Sequence, residues 1–168
     1  MVGTRMKAAA AGALILLAAG ATGANALGGG VATASLNSFN ETPLTLSTGG
    51  TGTFRATLSA NRINFTLRYS GLRTPVAAAH IHLGRTATTG GVAAFLCEDG
   101  PPASTPNCPD GRGTVTGVIR AAQVVGPADQ GIAAGRFNAL LRAIRAGATY
   151  VNVHTMRFPS GEIRGALR

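Results

Sequence analysis

The chain of 168 residues carries a formal charge of +9, with 15 Lys and Arg against 6 Asp and Glu. Such a balance favours anionic partners, yet the arginines from Arg55 to Arg168 never form a run and few aromatics lie between them, which argues against nucleic-acid binding. No apolar run reaches the roughly 20 residues that a helix needs to cross a bilayer, so no membrane span is expected.

Taken in order, residues 1–26 have the layout of a secretory signal peptide. Arg5 and Lys7 form a basic start, Ala8 to Ala19 is a small and apolar run around Leu14-Ile15-Leu16-Leu17, and Ala24-Asn25-Ala26 fits a small-residue cleavage site. Residues 27–168 are then one secreted or periplasmic domain, long enough for a real core. Without Arg5 and Lys7 its charge is 13 arginines minus 6 acids, close to +7. An extracellular protein or an acidic polymer would be a fitting partner, and a solvated arginine-rich exterior is the plainer reading.

Val31 to Phe39 reads as a first strand, stopped by Glu41-Thr42-Pro43, and Thr48 to Gly52 as a turn. Phe54, Ala56 and Leu58 then alternate with Arg55 and Thr57. After Ala60-Asn61 comes the cleanest alternation in the chain, with Ile63, Phe65, Leu67 and Tyr69 inward and Arg62, Asn64, Thr66 and Arg68 outward. Period-two spacing of this kind marks half-buried antiparallel strands. Ala77 to Leu83 is a strand bearing His80 and His82, followed by a loop from Gly84 to Gly91 and an apolar strand ending at Cys97.

Cys97 and Cys108 are the only cysteines, and in an oxidising compartment a disulfide between them is the natural outcome. The segment between them, with Pro101, Pro102 and Pro106, has no regular pattern. A two-cysteine metal site lacks the usual close spacing. Gly113 to Arg120 is the next strand. Between Pro127 and Gly147 the period changes: Ile132, Phe137, Leu140, Leu141 and Ile144 recur at helical spacing, predicting one amphipathic helix of about 11 to 14 residues.

The chain closes on a hairpin. Val151 and Val153 face one way and Tyr150, Asn152 and His154 the other; Pro159-Ser160-Gly161 reverses the direction; Ile163 and Leu167 continue the apolar face, and Glu162 and Arg164 the polar one. The architecture is therefore all-β, an antiparallel sandwich or barrel with one late helix.

The opening Ala34-Ser35-Leu36 to Glu41-Thr42-Pro43, the segment Ala79-His80-Ile81-His82-Leu83-Gly84, and the closing Tyr150-Val151-Asn152-Val153-His154-Thr155 with Phe158-Pro159-Ser160-Gly161-Glu162-Ile163-Arg164-Gly165 resemble the CHRD domain, named after chordin. The resemblance spans nearly the whole predicted domain and implies a sandwich-like β fold, immunoglobulin-like or superoxide-dismutase-like in its Greek key. It implies little about activity. The chain departs from the pattern at Asn37-Ser38, where a glycine often follows the first leucine motif.

Two readings of the polar residues compete. In one, His80, His82 and His154 form a hydrogen-bonded network with Glu162, Asn152 and backbone groups, with Arg164 in support. In the other, the histidines hold zinc or copper: His-x-His on a strand sets two imidazoles on one face about 7 Å apart at the backbone, His154 adds a third, and Glu162 is a fourth ligand or its hydrogen-bond acceptor. The two-metal chemistry of copper-zinc superoxide dismutase needs more histidines than the three present. No Gly-x-Ser-x-Gly elbow, paired carboxylates or phosphate-loop lysine occurs, so no enzyme and no required cofactor is expected.

Overall fold

The structure is a computed structural model that describes residues 1–3, 29–98 and 105–168. The predicted signal peptide, apart from its first residues, and Pro101 and Pro102 of the inter-cysteine segment lie outside the described residues.

The strands are β1 (Gly30–Asn37), β2 (Thr51–Leu58), β3 (Ile63–Ser70), β4 (Val76–Leu83), β5 (Val92–Glu98), β6 (Gly113–Ile119), β7 (Thr149–Thr155) and β8 (Ile163–Leu167), with one helix, α1 (Phe137–Arg145), before β7. They form a single eight-stranded antiparallel sheet in the order β5-β4-β7-β8-β1-β2-β3-β6. Alternation sets the inner face. Ala32, Ala34 and Leu36 of β1, Phe54, Ala56 and Leu58 of β2, and Ile63, Phe65 and Leu67 of β3 are buried, while the arginines and threonines between them point outward.

The two sheet edges curl together, so the sheet is a nearly closed barrel. Segments flanking β6 stitch it to β5. The Cys97–Cys108 disulfide joins the edges, and the Glu98 amide donates to Pro106 O at 2.9 Å. Beyond β6, Val124 bridges to Ala94, and the Val125 amide donates to Ala93 O at 3.0 Å. With β6 across this seam from β5, and β7 returning beside β4, strands β4 to β7 have Greek-key order.

Helix α1 supplies Phe137, Leu140, Leu141 and Ile144 to the same core. It is nine residues long, shorter than the spacing predicts. The segment before it is spent on turns, and Gly131 and Gly135 take φ of 93° and 78°, a left-handed backbone that a right-handed helix does not tolerate. β1 is also shorter than expected. The Asn37 side chain accepts from the Asn40 amide at 3.1 Å, starting a short 3-10 turn, Ser38–Asn40, that leaves Phe39 on the surface.

Candidate metal centre

The site lies on the outer face of β4, β7 and β8. Across β4 and β7, His82 pairs with Tyr150, His80 with Asn152 and Ala78 with His154; across β7 and β8, Asn152 pairs with Arg164. The residues between them, Ile81, Val151, Val153 and Ile163, are fully buried on the inner face, so the core sets the register and the register brings the histidines together.

The three imidazoles converge: their ligand atoms lie within 4.8 Å of one another. His82 Nδ1 is 2.9 Å from Gly90 O and His154 Nδ1 is 3.0 Å from Pro159 O. A carbonyl can only accept, so each neutral ring carries its proton on Nδ1 and donates it there. Nε2 of each ring is left with a lone pair, and these two atoms face each other at 3.4 Å. His80 completes the group, its ring edge-on to Phe95 with centroids 4.7 Å apart, and both its ring nitrogens are buried without a hydrogen-bond partner.

The surroundings hold the rings neutral. Burial, reinforced by the neighbouring imidazoles, pushes the pKa of His80 down to about 3; burial pushes that of His82 down to about 4 despite its bond to Gly90; burial also lowers that of His154. The result is a set of unprotonated nitrogens aimed at one point.

Two loops aim them. Loop 84–91 folds back so that Gly90 O meets both His82 Nδ1 and the Tyr150 hydroxyl, and a Cβ at Gly90 would run into Leu83 O. In turn 156–161, Gly161 has φ of 129° and its Cα sits against the Asn152 amide, which leaves no room for a side chain. Tyr150 stacks on His82 with an interplanar angle of 4°, and the Arg164 guanidinium lies 3.4 Å from the Tyr150 ring centroid.

A family model for the CHRD domain matches residues 32–167. The chain belongs to the CHRD family. No curated protein matches it. The matched span of the CHRD domain contains every residue of the site described above.

Within this CHRD domain Glu162 does not join the histidines. Its side chain is fully buried and accepts from the Arg73 amide at 3.2 and 3.3 Å and from Thr155 Oγ1 at 2.9 Å. Alternation placed it on the polar face, but it sits in a bend before β8, where the period of two does not hold. The network reading therefore changes partners. None of the three rings hydrogen-bonds Glu162 or Asn152 among the described residues; their bonds go to Gly90 and Pro159 carbonyls. Asn152 instead donates to Glu41 at 3.2 and 3.3 Å.

Glu41 is the carboxylate that the sequence reading missed. Burial raises its pKa to about 7, against the lowering pull of Arg164. It is 111 residues from Asn152, and no local pattern reports a contact of that separation.

Proposed function

We propose that this CHRD domain is an exported, non-enzymatic module that binds one zinc or copper ion through His80, His82 and His154. The observation that carries the reading is the pair of Nε2 lone pairs 3.4 Å apart, each fixed by a carbonyl behind its own ring. Two acceptors cannot bond to each other, and a shared cation is what such a pair takes up. His80, with both nitrogens buried and unpartnered, supports it, because an orphaned buried polar atom costs roughly 1–3 kcal/mol unless a partner arrives.

Three imidazoles suit zinc or copper, with the fourth position left to water or to another molecule. The non-enzymatic part of the reading rests on the sequence, which contains no Gly-x-Ser-x-Gly elbow, paired carboxylates or phosphate-loop lysine. Export is supported by the Cys97–Cys108 disulfide, a bond characteristic of oxidising compartments.

The test is metal analysis of protein purified without a histidine tag, with a melting curve in each metal. One equivalent of zinc or copper is expected. Free metal at 100 times Kd would add about 2.7 kcal/mol, raising Tm by roughly 5–10 °C. His82→Ala should reduce the stoichiometry to near zero. Absence of stoichiometric metal, together with an unchanged Tm on adding either ion, refutes the proposal.

A further inference from the structure

On the far side of Tyr150 from His82, between β8 and β1, lies a pocket of about 230 Å³ lined by Ser35, Asn40, Thr86, Tyr150, Arg164 and Arg168. Arg164 is its deepest charged group, 3% exposed. Its Nη2 donates to Arg85 O at 3.0 Å and Thr88 O at 2.6 Å, and its plane rests against Tyr150. The loop that supplies those carbonyls is shaped to do so: Ala87, on the pocket wall, is the one non-glycine with positive φ, 62°, among the described residues.

These contacts orient the guanidinium without neutralising it. Carbonyl dipoles and a π face carry no net charge, and Glu41, whose carboxylate acts on Arg164 through space, hydrogen-bonds Asn152 rather than the guanidinium. With no carboxylate bonded to the guanidinium among the described residues, its burial is only partly compensated, and an anion in contact relieves the remaining cost. Arg168 adds a second positive charge at the exposed rim, and Ser35 and Thr86 offer hydroxyl donors. The volume is below the roughly 300–1,000 Å³ of drug-sized sites, so the occupant is a small anion or the charged end of a longer molecule.

We propose that this pocket is an oxyanion subsite, taking a phosphate, sulfate or carboxylate group against Arg164 and Arg168, separate from the histidine cluster. Bidentate guanidinium geometry fits all three groups.

The probe is inorganic phosphate, titrated into the isotope-labelled full chain at constant ionic strength and followed by amide chemical shifts, with sulfate and acetate as parallel arms. Saturable shifts at Ser35, Asn40 and Thr86 are expected, with affinity weakened several-fold in Arg168→Ala and lost in Arg164→Lys. Arg55→Ala, on the outer face of β2, should leave the titration unchanged. Response to phosphate and sulfate alone would assign a tetrahedral anion; response to acetate would assign a carboxylate. Arg168 is exposed, so its variant folds even if the Arg164 variant does not. No saturable shift with any of the three anions, or shifts that Arg168→Ala leaves untouched, overturns the proposal.

Discussion

A carbonyl oxygen has no proton to give, and that asymmetry decides where the protons of His82 and His154 reside. Both rings should be Nδ1–H tautomers in the metal-free protein at neutral pH, and nitrogen chemical shifts of the imidazoles test this directly; a Nε2–H tautomer at either ring would contradict it. The tautomer of His82 depends on Gly90, whose carbonyl reaches the ring only because the loop crosses Leu83 O with no side chain in the way. Gly90→Ala should therefore lower both thermal stability and metal affinity, whereas Thr89→Ala in the same loop should change neither by much. Glu162 gives the complementary case. Its carboxylate ties the Arg73 amide and the Thr155 hydroxyl, so Glu162→Ala leaves two donors unsatisfied at roughly 1–3 kcal/mol, measurable as a loss in urea denaturation, with metal stoichiometry unchanged. The histidines were legible in the sequence because each lies inside a strand, and β4 pairs with β7 without a break from Ala78 to Leu83 even though its register with β5 shifts beside His80 and His82. Glu162 was not, because one residue of bend outside β8 is enough to turn a side chain to a different neighbour.

Strands and helix differ in how far their local patterns determine them. β3 alternates without exception and its bounds follow from the sequence almost unaltered, since each inward side chain meets the same core. α1 does not extend back to Ile132, although that residue has the right spacing and is buried, because the turns around Gly131 and Gly135 override a periodicity that several conformations can satisfy. The choice between sandwich and barrel was equally beyond local pattern. It is made at the seam, where residues before and after β6 bond to β5. The disulfide is the covalent part of that closure, spanning a separation of 11 residues. By loop-closure entropy it is worth roughly 2–3 kcal/mol, so the Cys97→Ser, Cys108→Ser double variant should lose about that much in denaturant titration. The histidine cluster lies on the outer face of β4 and β7, whereas Cys97 pairs with the fully buried Ala79 beside it, and metal binding should survive in the fraction that stays folded. Metal loss at full folding would mean that the seam positions the site as well as closing the sheet.

At the scale of the whole molecule, the buried ionisable groups make opposing demands on pH. The histidines have folded pKa values below the ordinary 6.5, about 3 for His80 and about 4 for His82, so on acidification below 6.5 the unfolded chain binds protons that the folded one refuses. Their contribution to stability is complete above about pH 6.5 and is lost as pH falls toward 4. Glu41 acts in the other sense. Its folded pKa is raised from 4.5 to about 7, so its contribution is complete below 4.5 and disappears as pH rises through 7. Each proton of difference tilts the unfolding free energy by at most about 1.4 kcal/mol per pH unit. Three lowered histidines against one raised glutamate leave a net loss on acidification between about pH 6.5 and 4.5. The metal-free protein should accordingly show a falling urea midpoint from pH 7 to 4.5. His80→Ala should flatten that slope, and Glu41→Gln, which removes the opposing group, should steepen it. The same depressed values keep the imidazole lone pairs unprotonated in mild acid, so bound zinc or copper should be retained at pH 5, where a site of ordinary histidines is already largely protonated. A wild-type midpoint that stays level across this range, or that rises with acid, would mean the rings are not buried as a neutral group, and the case for a convergent set of free nitrogens would fall with it.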